Sequence, residues 1–202
     1  MRHTVSVGIS AHNEERSIGA LLDSIRSQEQ IGFSLDRVTV ACDGCTDRTA
    51  EIVKMHQKTF PALTLVDDGG RLGKVGRVNQ FFRSNGSDIL VILDADTRLA
   101  NPQTLAHLVE AFADPFVGYV GGGDRPAPPK TFFESVAVTT VDLWRSMRRA
   151  YNGGDSVHNA HGCFLAVSKR IADQVDVTRH CHGEGHFLYF KAKALGFRFR
   201  YA

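Results

Sequence analysis

Short apolar runs alternate with segments of helical periodicity along the first half of the chain. The runs of strand length cover residues 5–9, 37–42, 63–66 and 89–93. The last run, Ile-Leu-Val-Ile-Leu, is apolar throughout, which is typical of a strand buried on both faces. After the first run, apolar residues fall on one helical face at Ile18, Leu21, Leu22 and Ile25. The alternation predicts an α/β fold with a mainly parallel sheet flanked by helices.

Polar residues indicate where the helices between these strands begin. Asn13 is a suitable N-cap, and the acidic pair Glu14 and Glu15 suits the positive end of a helix dipole. We therefore expect the first helix to open at this pair. The second helix is predicted over about residues 46–58, and the third begins near Lys74.

Three of the four strands end in acidic turns. The second strand runs into Asp43, the third into residues 67–70, and the fourth into Asp94. In open α/β sheets, ligands bind beyond the carboxyl ends of the strands. The functional site is therefore predicted at this edge of the sheet.

The second half of the chain is less regular. Three prolines mark an extended loop at Pro126, Pro128 and Pro129. Beyond it the pattern predicts a long helix, a short strand, a helix and a last strand over residues 131–151, 163–167, 185–195 and 197–201. Residues 121–124, Gly-Gly-Gly-Asp, are not followed by a helix start with a lysine, so they predict a tight turn rather than a phosphate-cradling loop.

Composition and charge exclude several classes of protein. The 202 residues are 43% hydrophobic and 23% charged with a net charge of +2, which suits a single globular domain over residues 1–202. A nucleic-acid binder of this size would carry a larger basic excess, so no nucleic-acid partner is expected. No apolar stretch reaches the roughly 18 residues that span a bilayer, and no basic and apolar leader precedes the first strand.

The cysteines favour a reducing, cytoplasmic location. Four of them, Cys42, Cys45, Cys163 and Cys181, are too few and too scattered for a disulfide scaffold. Cys42 and Cys45 form a C-x-x-C pair, but zinc would need two further ligands. We therefore interpret the pair as structural.

The sequence Asp94-Ala95-Asp96 carries the clearest chemical signal. Two carboxylates separated by one small residue, on a turn after a buried strand, can both face the crevice at the sheet edge. Mg²⁺ and Mn²⁺ prefer oxygen ligands and usually take one or two protein carboxylates together with substrate phosphates. The motif therefore predicts a divalent-metal site.

The sequence resembles the family-2 inverting glycosyltransferases, which share the single-domain, Rossmann-like A-type glycosyltransferase fold. The matching segments occur in the order of the family. They are Ser-Ala-His-Asn-Glu-Glu at residues 10–15, Asp-Gly-Cys-Thr-Asp-Arg-Thr at 43–49, Gly-Lys-Val-Gly-Arg-Val-Asn at 73–79, Asp-Ala-Asp at 94–96, Gly-Cys-Phe at 162–164 and Gly-Phe-Arg-Phe-Arg-Tyr at 196–201. The resemblance covers essentially the whole chain.

The resemblance implies a nucleotide-binding role for residues at the first two strands. It places Ser10, His12 and Glu14 around the base and ribose of a nucleotide-sugar donor. Asp43 would accept a hydrogen bond from the ring N–H of the base, which favours a uracil-like donor. A UDP-sugar is therefore the favoured donor.

The resemblance also implies roles at the diphosphate. Lys74 would lie near the diphosphate or ribose, Asp94 would contact the ribose or sugar, and Asp96 would ligate the Mn²⁺ or Mg²⁺ that bridges the phosphates. Asp94 is the second candidate metal ligand, and Asp124 would contact the donor sugar. The metal would stabilise the negative charge that grows on the leaving nucleoside diphosphate.

The expected reaction is metal-dependent transfer of a sugar to an acceptor hydroxyl with inversion. Residues 1–98 would form the nucleotide-sugar-binding half and residues 99–202 the acceptor-binding half. The acceptor class stays open between a glycan, a lipid-linked molecule and a small molecule. Trp144 lies among arginines at residues 145, 148 and 149, either as a membrane-facing patch or as a solvated helix end. Peripheral association with the inner face of a membrane therefore stays open.

One part of the family pattern is missing. An inverting transfer needs a general base for the acceptor hydroxyl, which the family supplies from a Glu-Asp or Asp-Asp pair. That pair falls on Glu184-Gly185, so the second carboxylate is absent. Glu184 is the first candidate base and His186 the second, with another group as a third alternative.

Histidines cluster before and at the start of the helix predicted over residues 185–195, at His158, His161, His180, His182 and His186. Their spacing is compatible with zinc, and some A-type glycosyltransferases recruit a late histidine as a metal ligand. The favoured interpretation is that they line a polar acceptor cleft.

Two other functions compete with the glycosyltransferase interpretation. A sugar nucleotidyltransferase also uses paired aspartates, but it carries a Gly-rich, basic loop after the first strand, where this chain has the acidic residues 10–15. A catalytically silent nucleotide-sugar-binding module is the second alternative, and Gly185 motivates it. Hydrolysis of the donor would separate an enzyme from a silent module.

Overall fold

The computed structural model describes residues 2–123, 125–126, 128–178, 181 and 183–202, without the side chains of residues 148 and 149. The strands are β1 His3–Ala11, β2 Phe33–Cys42, β3 Leu63–Val66, β4 Ile89–Asp94, β5 Val117–Gly121, β6 Phe164–Ser168 and β7 Arg198–Tyr201. The α-helices are α1 Ile18–Arg26, α2 Thr49–Gln57, α3 Gly73–Ser84, α4 Thr104–Glu110, α5 Phe132–Ala150, α6 Lys169–Ala172 and α7 Glu184–Ala194.

The seven strands form one sheet in the order β3-β2-β1-β4-β6-β5-β7. β1 pairs in parallel with β2 and β4, β2 pairs in parallel with β3, and β5 pairs in parallel with β7. β6 is antiparallel to both of its neighbours, β4 and β5. The sheet is therefore mainly parallel, as the alternating pattern predicts, and strands from both halves of the chain pair within it.

Helices cover both faces of the sheet, and each face has its own core. One core packs α1, α2 and α4 against the sheet through side chains such as Leu21, Val53 and Leu108. The other packs α3, α6 and α7 through side chains such as Phe81, Ile171 and Leu188. Two such layers bury a sheet on both sides, which is why the central strands are nearly continuous apolar runs.

Strand β4 contributes to both cores. Its side chains alternate: Ile89, Val91 and Leu93 enter one core, and Leu90 and Ile92 enter the other. This strand therefore has no polar face, as its unbroken apolar sequence predicts.

The prediction for the start of the first helix is wrong. The helix begins at Ile18 rather than at Glu14, and its N-cap is Ser17 rather than Asn13. Asn13 has φ of 57°, and its side-chain oxygen accepts a hydrogen bond from the backbone N–H of Thr46 (2.8 Å). Asn13 therefore stabilises the turn after β2, because an asparagine tolerates the left-handed region and reaches a neighbouring loop.

Three elements of the second half escape prediction, namely helices α4 and α6 and strand β5. Helix α4 and strand β5 lie where the sequence shows no clear periodicity, and β5 consists of Val-Gly-Tyr-Val-Gly. Gly121 is the last residue of β5, and the N–H of Gly122 donates to the carbonyl of Phe164 (2.9 Å). The turn predicted over residues 121–124 therefore starts at the last residue of β5, which is paired with β6.

A side-chain amide connects helix α3 to the segment before α7. Asn79 is buried, donates to the carbonyl of Val177 (2.9 Å) and accepts from the N–H of Val177 (2.8 Å). The paired bonds fix the chain that leads into α7 against the sheet. Among the described residues, no helix combines the length and the apolar composition that a bilayer span requires.

Candidate functional site

A cavity of about 240 Å³ opens at the carboxyl ends of β1, β2 and β4. Its lining consists of Ser10, Ala11, His12, Glu14, Asp43, Lys74, Asp94, Ala95 and Asp96. Seven of these residues are the predicted nucleotide-sugar and metal residues of the first half. The parallel register explains the convergence, because Ser10 pairs with Asp94 and Ala11 pairs with Cys42 across neighbouring strands.

Arg77 lies beneath this cavity as a fully buried cation. Its Nε donates to Asp43 Oδ1 (3.0 Å), and its Nη1 and Nη2 donate to the two oxygens of Asp68 (3.0 and 2.9 Å). Nη2 also donates to the carbonyls of Cys42 (3.0 Å) and Gly70 (2.8 Å). The hydrogen bonds to Asp68 hold the pKa of that carboxyl well below its usual range. One guanidinium therefore joins the ends of β2 and β3 to helix α3.

The carboxylate of Asp43 already accepts three hydrogen bonds. Besides Arg77, it accepts from the N–H of Leu72 (2.7 Å) and the N–H of Gly73 (3.0 Å) at the start of α3. A carboxylate offers about four lone-pair positions, so one position remains for a base N–H. The predicted contact with the base stays a prediction, and the structure adds a second task for Asp43 in holding the start of α3.

The loop after β1 is held against the loop after β2. His12 Nδ1 lies 2.9 Å from the carbonyl oxygen of Asp43, and the N–H of Glu14 donates to Thr49 Oγ1 (2.8 Å). Glu14 Oε2 accepts from Ser17 Oγ (2.6 Å). These bonds bring the predicted ribose and base residues to one wall of the cavity.

Lys74 connects the cavity to helix α7. Its Nζ lies 2.6 Å from Asp94 Oδ1 and 2.7 Å from Glu184 Oε1, and it donates to the carbonyl of Gly162 (3.3 Å). Glu184 is buried at the first turn of α7. The lysine thus bridges the first aspartate of the Asp-Ala-Asp turn and the first candidate base.

The charges in this cluster shift one another. Burial alone would lower the pKa of Lys74, but the hydrogen bonds that Lys74 donates to Asp94 and Glu184 outweigh it and raise that pKa. Burial raises the pKa of Asp94, the hydrogen bond from Lys74 opposes this, and the negative charges of Glu184 and Asp96 add to it. Lys74 therefore remains a cation at neutral pH, where it can attract a phosphate.

The structure explains why residue 185 is a glycine. Gly185 is buried at the start of α7, and a Cβ there would collide with the carbonyl oxygen of Ala160 and lie 2.9 Å from the carbonyl carbon of His161. Backbone cannot yield as a flexible side chain can. The position at which the resemblance places a second carboxylate is therefore closed to any side chain in this chain.

Among the described residues, His186 does not line the donor cavity. His186 is exposed on α7. Asp124, His180 and His182 lie outside the described residues, so the sugar contact of Asp124 and the histidine cluster stay predictions. Cys42 and Cys45 are free thiols, and burial raises the pKa of Cys42 to about 12. Arg77 is the residue that sequence reasoning missed.

The chemistry of the lining suits a divalent cation. Asp94 and Asp96 present carboxylates on a turn that is closed by the hydrogen bond from Thr97 Oγ1 to the carbonyl of Asp94 (2.6 Å). In the described part of the chain, no three His, Cys, Asp or Glu side chains form a metal-binding group. A cation here would take these two carboxylates together with phosphate oxygens, as Mg²⁺ commonly does.

Comparison with protein families and known sequences gives one consistent result. A family model described as Glycosyl transferase family 2 matches residues 6–176. The chain is 26% identical over 193 residues to a beta-monoglucosyldiacylglycerol synthase from Nostoc sp., covering 88% of this chain and 41% of the relative. It is 30% identical over 191 residues to an undecaprenyl-phosphate 4-deoxy-4-formamido-L-arabinose transferase from Pectobacterium carotovorum. This match covers 91% of this chain and 54% of the relative. The chain spans about half the length of these relatives.

Solved structures share the fold. A mannosyltransferase from Pyrobaculum calidifontis, in complex with GDP-Man and Mn²⁺, matches with a TM-score of 0.80 and 26% identity over 100% of this chain and 55% of its own. A glucosyl-3-phosphoglycerate synthase from Mycobacterium tuberculosis, in complex with Mn²⁺, UDP and phosphoglyceric acid, matches with a TM-score of 0.68 and 20% identity over 98% and 68%.

Substitution of Gly185 tests the packing at α7. Gly185→Ala should lower the free energy of unfolding by about 1–3 kcal/mol, because the new Cβ displaces the backbone at residues 160–161. The measurement is urea unfolding followed by circular dichroism.

Gly183→Ala is the matched control. Gly183 has an extended backbone with φ of 168°, and among the described residues a Cβ there meets the His186 side chain at 3.4 Å. The control should unfold within about 0.5 kcal/mol of the parent protein. Equal stability of both variants would show that residue 185 has room for a side chain.

Proposed function

The chain belongs to glycosyl transferase family 2, and we propose that it transfers a sugar from a nucleotide sugar to an acceptor hydroxyl with inversion at the anomeric carbon. Its sheet has the A-type glycosyltransferase fold that the motif order predicts. The observation that carries the proposal is the ion-pair cluster at Lys74, which joins the acidic Asp-Ala-Asp turn to the carboxylate at the start of α7. A glycosyltransferase needs the metal-binding carboxylates for the donor and the general base for the acceptor next to each other.

The cavity at the sheet edge is the proposed donor site. Ser10, His12, Glu14 and Asp43 form the wall for the base and ribose, and Lys74 lies between them and α7. UDP is the favoured nucleotide because a carboxylate at residue 43 can accept the ring N–H of uracil. GDP is the alternative, since the mannosyltransferase from Pyrobaculum calidifontis was crystallised with GDP-Man.

A divalent cation, Mn²⁺ or Mg²⁺, would be held by Asp96 with Asp94 beside it. When bound, it would neutralise charge on the leaving nucleoside diphosphate. Asp96 is exposed at the cavity, whereas Asp94 is already contacted by Lys74. Asp96 is therefore the main proposed ligand, and Asp94 and Lys74 together position the phosphates and the ribose.

Glu184 is the proposed general base. It is the carboxylate that α7 presents next to the donor cavity, and the backbone of Ala160 excludes a carboxylate at residue 185. In the unliganded arrangement its charge is paired with Lys74. A diphosphate would attract Lys74 Nζ, and the freed carboxylate could then accept the proton of the acceptor hydroxyl. His186 remains the second candidate.

A lipid-linked acceptor is favoured over a free glycan or a small molecule. Two relatives are named for a glucosyldiacylglycerol product and for undecaprenyl phosphate. Helix α5 also exposes Trp144, Leu143 and Met147. These side chains suit contact with the inner face of a membrane, and we propose a cytoplasmic protein that works there.

A silent nucleotide-sugar-binding module remains the second candidate function. Gly185 favours it, because the usual base position is empty of any side chain. Hydrolysis of the donor decides between the two: an enzyme releases UDP from a UDP-sugar slowly with water as acceptor, and a silent module does not.

Substitution of Asp96 tests the donor site. Asp96→Ala should abolish the Mn²⁺-dependent part of UDP binding, because the main carboxylate for the cation is lost. Isothermal titration calorimetry of UDP with and without Mn²⁺, with GDP as the comparison nucleotide, measures the effect.

Asp173→Ala is the control, since Asp173 is an exposed aspartate that pairs with Lys169 away from the cavity. It should bind UDP as the parent protein does. If Asp96→Ala kept its Mn²⁺-dependent binding, the proposed metal site would be wrong.

Substitution of Glu184 tests the base. Glu184→Gln keeps the shape of the side chain but removes the proton acceptor, so transfer should fall by about 10²–10⁴-fold. Binding of UDP with Mn²⁺ should persist. Release of UDP from a UDP-sugar measures turnover, and His186→Gln is the matched comparison. Loss of turnover in His186→Gln with full turnover in Glu184→Gln would assign the base to the histidine.

A further inference from the structure

A second cavity lies between helix α5 and the chain that follows β5. It has a volume of about 380 Å³ and is lined by Arg125, Pro126, Val138, Asp142, Arg145 and Ser146. None of these residues lines the donor cavity. Its volume falls in the range of small-molecule sites.

Arg145 is the unusual residue of this cavity. Its side chain is only 9% exposed, although it lies on a helix that is mostly exposed. Its Nη1 donates to Asp142 Oδ1 (3.0 Å). Its Nε and Nη2 are buried and have no hydrogen-bond partner within the part of the chain that the structure describes. A buried guanidinium with an unpaired edge is costly, so the open edge calls for an acceptor.

The unpaired edge of Arg145 is suited to one kind of acceptor group. Nε and Nη2 are the two nitrogens on one side of the planar guanidinium, and together they donate two parallel hydrogen bonds to a phosphate or carboxylate. Arg125 is exposed, lines the same cavity and adds a second positive charge. Asp142 supplies one negative charge, so the cavity keeps a net positive charge.

We propose that this cavity binds a phosphate group, held by the Nε and Nη2 edge of Arg145 and by Arg125. Under the proposed function, on which this part rests, the phosphate belongs to the acceptor. Both nitrogens have almost no solvent-exposed area. A phosphate therefore reaches them only after a small shift of the atoms that enclose this edge of Arg145.

Phosphate is favoured over a carboxylate because two arginines and only one acidic residue line the cavity. A phosphate monoester carries up to two negative charges and three terminal oxygens, enough to accept from both arginines. The phosphate can be carried by a soluble molecule or by a lipid. The exposed Trp144 and Met147 flank Arg145 in sequence and would lie beside the lipid chain in the second case.

Direct binding separates this site from the donor site. The probes are glycerol 1-phosphate for a soluble phosphate, and phosphatidylcholine vesicles with and without phosphatidic acid for a lipid phosphate. Calorimetry and vesicle sedimentation are carried out on the full chain with UDP and Mn²⁺ present in excess. The donor cavity is then filled, and any phosphate that still binds uses another site.

Three variants identify the residues. Arg145→Lys cannot donate two parallel bonds and should weaken phosphate binding at least about tenfold. Arg145→Met should abolish it without lowering the unfolding temperature, because the substitution removes two buried nitrogens that have no hydrogen-bond partner while Asp142 stays exposed to solvent. Arg125→Gln, at an exposed residue, should weaken binding without affecting folding. The control is Arg83→Gln, which removes an exposed ion pair between Arg83 on α3 and Asp176. This variant should bind phosphate as the parent protein does.

The outcomes are distinct from those of the proposed function. Binding of either probe that depends on Arg145 supports the site. Binding of glycerol 1-phosphate indicates a soluble phosphate, and binding of vesicles with phosphatidic acid indicates a lipid phosphate. The proposal is overturned if neither probe binds the parent protein, if Arg145→Met binds phosphate normally, or if UDP with Mn²⁺ displaces the probe. UDP binding in the same samples reports on the donor site independently.

Discussion

The arrangement of the site depends on one buried cation. Arg77 is fully buried, and a charge without solvent must be paired. Its three nitrogens satisfy this requirement by reaching Asp43 after β2, Asp68 after β3 and the carbonyls of Cys42 and Gly70. The strands, the loops and helix α3 are thereby fixed relative to one another. A donor cavity built on these loops is preorganised before any ligand binds.

Helix α3 also carries Lys74, three residues before Arg77. Lys74 extends from its first turn to Asp94 and Glu184, so the same helix that holds the floor of the donor cavity also reaches α7. Asn79, further along the helix, holds the segment before α7 through both of its amide atoms. Helix α3 therefore contacts the acidic turn, the candidate base and the segment that precedes α7.

The predictable parts of the fold are those that depend on local pattern. The apolar run of β4 predicts the sheet, because burial on two faces leaves a direct trace in sequence, and the acidic turns predict the edge at which the cavity lies. Asn13 was misplaced because its partner, Thr46, is 33 residues away. The closed position at Gly185 depends on the backbone of Ala160, which no local pattern reveals. Arg77 had a usable signal: it lies four residues before the buried Phe81, on the inner face of α3.

The nucleotide affinity of Arg77→Lys tests the account most directly. A lysine keeps the charge but cannot pair with Asp43, Asp68 and two carbonyls at once. At a temperature where circular dichroism shows the variant folded, calorimetry should find UDP with Mn²⁺ bound at least about tenfold more weakly than by the parent protein. A folded Arg77→Lys variant with unchanged UDP affinity would contradict the view that Arg77 organises the donor cavity.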